Sequence, residues 1–124
     1  VKYANQRTQF GKPISRHQMV QAQIADMVLE HQAAQMLVYR AAWLKDQGKP
    51  SQYETSVAKL AASEAAVHAA NECMKIYGSY GFSTEFPAER FYRDAKSLQV
   101  VEGTSNIQKI IISGMACGHT PNRE

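Results

Sequence analysis

None of the 124 residues belongs to an apolar run approaching the roughly 20 that a membrane-spanning helix needs. Two cysteines, Cys73 and Cys117, lack metal-ligand spacing and allow at most one bridge, so a reducing compartment is expected and no metal is called for. The net charge of +3 is too small and too scattered to indicate nucleic acid. It permits an anionic cofactor without arguing for one. There is no charged-then-apolar leader; the chain opens inside what reads as a helix, and is expected to be a piece of something longer. Its length suits one domain with a modest core.

Proline and glycine are scarce where they would break helices. Neither occurs between Arg16 and Gln47, or between Ser51 and Tyr77. Residues 1 to 9 read as the last turns of a helix, ended by Phe10-Gly11-Lys12-Pro13. Ser15 is the expected cap of a long second helix. Its Val20, Ile24, Met27, Val28, Leu37, Val38, Ala41 and Ala42 largely keep one face. Gly48-Lys49-Pro50 ends it. Ser51 and Glu54 have capping-box spacing for a third helix running to about Tyr77. Ala58, Ala61, Ala62, Ala65, Ala66, Ala69 and Ala70 make that helix smooth enough for another to approach closely. Gly78 to Phe86 reads as a loop, Pro87 as the start of a short helix to about Lys96, and the final helix fades at Gly114 or Gly118. No strand and no repeat is expected. The class is all-α: a four-helix up-and-down bundle over residues 1–118 with a short additional helix, then a polar, frayed tail over 119–124.

Chemistry is sought at Val100-Val101-Glu102-Gly103-Thr104-Ser105-Asn106. A carboxylate ends an apolar run, and glycine and helix-capping residues follow. Helix N-termini present unpaired N–H groups, and Gly103 removes bulk beside the acid, so a ligand can approach the backbone. The plain alternative is a charge favoured by the helix dipole, with Gly103 a turn residue. Arg90, Arg93 and Asp94 read as ion pairs of the fourth helix. Trp43, Met27 and Met36 read as core or helix–helix contact. Tyr77 and Tyr80 read equally as cleft lining or packed aromatics.

Five segments in order resemble the acyl-CoA dehydrogenase family: Arg7 to Ile14, His17-Gln18, Ile76 to Phe82, Glu89-Arg90 with Arg93 to Ala95, and Glu102 to Thr104 with Ile107-Gln108. The matching piece is the family's C-terminal helical domain, without its N-terminal helical and middle β domains. The resemblance implies an FAD enzyme that oxidises the Cα–Cβ bond of an acyl-CoA. Glu102 matches the base that removes the α-proton, its own N–H donating to the thioester carbonyl, and the β-hydrogen leaves as hydride to flavin N5. Gly103 matches a position beside substrate, and Thr104, Ser105 and Asn106 match contacts to the flavin end. Arg7, Thr8, Gln9 and Phe10 match a segment reaching a neighbouring subunit's FAD. His17, Gln18, Lys75, Gly78 and Ser79 match further cofactor-facing positions. The planar guanidinium of Arg7 suits pyrophosphate; its plain reading is a solvated helix-end charge. For His17 the plain reading is a helix-surface histidine.

Three positions depart from the family pattern: Lys75 where glutamine is frequent, Ser79 where a second glycine is common, and Val101 where straight-chain enzymes often carry an aromatic. The acyl length is therefore not carried over. An electron-transfer flavoprotein is the expected acceptor, and a homodimer or homotetramer the expected assembly. The expected location is bacterial cytoplasm, or mitochondrial matrix in a eukaryote. An acyl-carrier-protein dehydrogenase or an acyl-CoA oxidase shares the fold, and a non-catalytic helical assembly module is the alternative of a different class. The isolated fragment is expected to be inactive and to bind FAD poorly.

Overall fold

The computed structural model describes residues 1–119; Thr120 and the rest of the expected tail lie outside the described residues. The elements are α1 (Lys2–Gln6), β1 (Thr8–Gln9), β2 (Lys12–Pro13), a 3-10 turn at Ile14–Arg16, α2 (Gln18–Asp46), α3 (Gln52–Tyr77), a second 3-10 turn at Gly78–Phe82, α4 (Ala88–Ser97) and α5 (Ser105–Ala116). The fold is all-α, as expected, and α3 is its axis. It packs against α2, α4 and α5, and the second 3-10 turn folds back on its C-terminal end.

Small residues make this close packing possible. Ala58, Ser63 and Ala70 of α3 are buried together with Ala34 and Ala41 of α2 and Ala88 and Ala95 of α4. Only one stripe of each long helix is taken up in this way. Trp43 and Met36, expected in the core or at a helix–helix contact, are 54% and 64% exposed, because the alanine seam of α3 meets the opposite side of α2. Val28, Leu29, Val38 and Tyr39 share their exposure, as do Ile107 and Ile110 on α5. These residues leave apolar surface on the outer faces of α2 and α5.

The helix ends explain several departures from expectation. α2 closes as read, in a Schellman motif: Lys49 N–H donates to Leu44 O at 3.0 Å and Gly48 N–H to Lys45 O at 3.0 Å, with Gly48 at φ +66°. Its start is later than expected, because Ile14–Arg16 winds into the 3-10 turn and His17, not Ser15, is the N-cap residue. The Ser51–Glu54 capping box does not form: Ser51 occupies the N-cap without a side-chain bond, and Glu54 instead meets Arg40 of α2 at 3.3 Å. The first helix is also shorter than expected. It stops at Gln6, and Thr8–Gln9 pairs antiparallel with Lys12–Pro13 across the two-residue turn Phe10-Gly11. Both turn residues have positive φ, +52° and +77°, which the right-handed twist of a two-residue hairpin demands.

An aromatic cluster fastens this N-terminal unit to the end of α3. Tyr3 stacks on Tyr77 with centroids 4.0 Å apart, and Phe86 meets both edge-on. The expected ion pairs of Arg90, Arg93 and Asp94 do not occur among the described residues; Arg90 lies 5.8 Å from the Phe91 ring instead.

The buried charge is elsewhere, at Glu72 of α3. Its carboxylate accepts from Lys75, from Gln23 of α2 at 2.7 Å and from Asn71 at 3.1 Å, with His68 Nε2 at 3.8 Å. The Lys75 bond lowers its pKa most. Burial pushes the other way but loses to that bond together with those from Gln23 and Asn71 and the lysine charge. Glu72→Ala leaves these donors unpaired and is expected to cost about 2 kcal/mol at neutral pH. A carboxyl with a depressed pKa stabilises above its unfolded value, 4.5, and that contribution is lost as pH falls through the folded value. Denaturant titrations should therefore show the gap between wild type and Glu72→Ala closing only in acid.

Candidate active site

Glu102 sits in the loop between α4 and α5 at φ +55°, in the left-handed region that a non-glycine residue enters at a cost of about 1–3 kcal/mol. The loop around it is tied to α3 on both sides. Lys59 Nζ donates to Leu98 O and to Gly103 O, both at 2.7 Å. Glu64 accepts from Gln99 Nε2 at 2.8 Å and from Ser105 Oγ at 2.7 Å. Gly103, at φ +93°, lies so close to the buried Gln108 that an added Cβ would stand 2.5 Å from its Nε2. Thr104 is the N-cap of α5, its Oγ1 accepting from Ile107 N–H at 3.3 Å.

These ties leave the Glu102 side chain exposed at the rim of a cleft of about 240 Å³. Ala62, Ser63, Leu98 and Val101 supply most of its wall, and Lys59 the remainder. Among the described residues no acceptor takes the Glu102 N–H. A carboxylate, an available amide and an apolar recess thus meet at one point. That combination can bind a carbonyl and remove a proton beside it.

A second cluster forms at the other end of α3. Arg7, Gln9, Gly78, Ser79 and Tyr80 border a pocket of about 220 Å³, with Tyr3, Ile14, Ile76 and Tyr77 at its base. The Arg7 guanidinium lies 5.8 Å over the Tyr80 ring and has no carboxylate partner among the described residues. Gly78, at φ +63°, faces open space. His17 Nε2 is 3.1 Å from Gln9 O, and the His17 ring meets Phe10, 92% exposed at the hairpin tip, at 6.0 Å. Tyr77 is both a packed aromatic and a lining residue; burial raises the pKa of its hydroxyl. Lys59 and Gly78 are separated by roughly 28 Å of helix rise, so the two clusters are separate sites on one chain.

Residues 1–116 match the family model described as acyl-CoA dehydrogenase, C-terminal domain. The chain belongs to the acyl-CoA dehydrogenase family. It is 48% identical to the mitochondrial short-chain specific acyl-CoA dehydrogenase of Mus musculus over 114 residues, 92% of this chain and 28% of that protein. Among solved structures, a glutaryl-coenzyme A dehydrogenase in complex with glutaryl-CoA superposes with a TM-score of 0.94 at 47% identity, over 99% of this chain and 31% of that one. An FAD complex of PigA superposes with a TM-score of 0.90 at 32% identity, over 94% and 30%. The chain thus spans less than a third of the length of these relatives.

Of the residues picked out for this family, the fold brings Arg7, Gln9, Gly78 and Ser79 together at one pocket. Thr8 and Phe10 belong to the hairpin beside it, His17 meets that hairpin through Gln9 O and Phe10, and Gln18 opens α2 without lining the pocket. Glu102, Gly103, Thr104, Ser105 and Asn106 gather at the other end of α3. Lys75 lines neither of these two pockets: its ammonium is engaged by Glu72, and it borders a neighbouring recess with Asn71, Met74, Phe82, Tyr92 and Gly78, the last of which lines the hairpin-end pocket as well. Sequence reasoning missed Lys59 and Glu64. Both are ordinary surface-type residues on an alanine-rich helix, and nothing local to them signals contacts about 40 positions away.

Proposed function

We propose that this chain is the C-terminal bundle of an FAD-dependent acyl-CoA dehydrogenase, and that Glu102 takes the α-proton of the acyl thioester. The observation that carries the reading is the Glu102 loop. A non-glycine backbone is held at positive φ with its carboxylate at an apolar cleft and its own N–H available. Backbone strain of this kind persists only where surrounding contacts over-determine it, and it clusters at functional sites.

A proton α to a thioester is a far weaker acid than a carboxylic acid, so a carboxylate removes it only if the developing enolate oxygen is stabilised. The Glu102 N–H supplies one donor to that oxygen. The carboxylate takes the α-proton, and the electron pair left behind forms the Cα–Cβ double bond as the β-hydrogen departs with its own pair. FAD, when bound, supplies the hydride acceptor at N5. Gly103, whose missing side chain makes room for Gln108, keeps the turn beside the carboxylate tight, and Thr104 to Asn106 would border the flavin end.

The hairpin end of α3 suits the phosphate portion of the same cofactor type. Its guanidinium is unpaired among the described residues, and a glycine at positive φ opens onto the pocket. With the two clusters so far apart, this chain would touch two FAD molecules, one of them bound chiefly by a second subunit. The uncovered faces of α2 and α5 suit such an assembly and the additional domains of a longer protein, dimeric or tetrameric, with an electron-transfer flavoprotein as oxidant.

The test is a flavin spectrum of the full-length protein, followed by anaerobic addition of straight, branched and dicarboxylic acyl-CoAs. Bleaching of the flavin by at least one of them is expected. Colourless protein that takes up no FAD would leave only a helical assembly module. Rapid peroxide release in air would make it an oxidase, and reaction only with carrier-protein thioesters would move it to that branch.

A further inference from the structure

We infer that Lys59 is a positioning residue for the dehydrogenation, acting on the Glu102 loop from α3. The inference rests on the reading of Glu102 as the base. Its physical ground is the pair of 2.7 Å hydrogen bonds from one ammonium to Leu98 O and Gly103 O, which bracket Glu102 in sequence. Leu98 is the C-cap residue of α4, where carbonyls lack helical partners and the helix dipole favours a cation. Gly103 is the last residue before the N-cap of α5. Lys59 therefore closes the loop across its two mouths and holds Glu102 in the left-handed conformation that its side chain disfavours.

One backbone bond shares this work: Ser105 N–H donates to Gln99 O at 3.0 Å. Glu64 ties the side chains of Gln99, one residue inside Leu98, and Ser105, two residues beyond Gly103. Gln108 adds a longer bond of 3.4 Å to the Gly103 carbonyl. Among the described residues nothing else donates to Leu98 O or Gly103 O. Lys59 also lines the cleft, so it couples the loop's geometry to the recess that receives the acyl group. Relaxing φ at Glu102 would swing the carboxylate away, and a displacement of about 1 Å can cost on the order of 100-fold in rate.

The experiment uses the full-length holoenzyme and any acyl-CoA it oxidises. Lys59→Met keeps the aliphatic stem and removes the donors. It is expected to lower kcat about 10–100-fold, with KM and flavin content changed less than about twofold. Lys59→Arg, which retains a charge and several donors, is expected to recover most of the lost kcat. A Lys59→Met enzyme with unaltered kcat, or one that is less stable and loses part of its flavin but whose kcat per bound flavin is unaltered, overturns the assignment. If the methionine variant is recovered without flavin, Lys59→Gln, an uncharged donor, is held to the same kcat-against-KM criterion. Glu102→Gln is assayed beside them. If it turns over normally, the base is misassigned. If it is dead while Lys59→Met is unimpaired, only the positioning role falls.

Discussion

Glu102→Gln in the full-length flavoprotein is expected to lower turnover by about 10²–10⁴-fold, the range that a positioned general base contributes. Flavin content should be unchanged. The amide is nearly isosteric, so the loop bonds from Lys59 and Glu64 have no reason to break. The substrate carbonyl can still accept from the residue-102 N–H. KM should move little, because the lost group acts on the proton rather than on ground-state binding. A combined fall in kcat and rise in KM would instead indicate a collapsed loop, and Gly103→Ala supplies that comparison. There the added methyl meets both a disfavoured φ and the Gln108 amide.

The second large effect is on stability. Gly81→Ala would place a Cβ 2.7 Å from Met74 O, 3.1 Å from Met74 Cα and 3.3 Å from Met74 C. All three atoms belong to the backbone of α3, so no side-chain rotation relieves the clash. The second 3-10 turn must lift away from the helix, and overpacking of this kind costs about 1–3 kcal/mol. A lower unfolding midpoint is expected, together with weaker FAD retention, because Gly78 and Ser79 ride on the same turn. Gly78→Ala separates the two jobs. Its Cβ meets nothing within this chain, and only its positive φ resists the change. Flavin affinity should suffer there more than the packing of the bundle.

Those two glycines show where a single sequence reaches its limit. Both fall in the stretch from Gly78 to Phe86 that reads as a loop, yet one faces a pocket and the other is wedged against a neighbouring helix. Local composition does not distinguish close approach to a ligand from close approach to the protein's own backbone. α3, by contrast, was legible from end to end. Its alanine spacing, the absence of breakers and the glycine at position 78 all point to the same helix. The Phe10-Gly11 hairpin was not legible, since strands of two residues have no period to detect and its turn uses phenylalanine at a positive φ where asparagine or aspartate is usual. The capping box failed because Glu54 has a better-placed partner in Arg40, 14 positions away on the preceding helix. The resemblance to a known family picked out Glu102 and its neighbours as candidates, while the contacts that shape their loop come from α3 and emerge only in three dimensions.

The uncovered faces of α2 and α5 follow the same logic. Period alone marks an apolar stripe but not which of several stripes the rest of the chain will use. In α2 the narrow alanine seam won, and the larger side chains were left exposed.

The most direct test is a single anaerobic turnover. Full-length holoenzyme, wild type and Glu102→Gln, is mixed with a protiated acyl-CoA and with its α,α-dideuterated form, and flavin absorbance is followed. In the wild type, bleaching should be fast and slowed severalfold by deuterium at the α-carbon; in Glu102→Gln it should be almost abolished while the flavin remains bound. Bleaching of the variant at the wild-type rate would contradict the account.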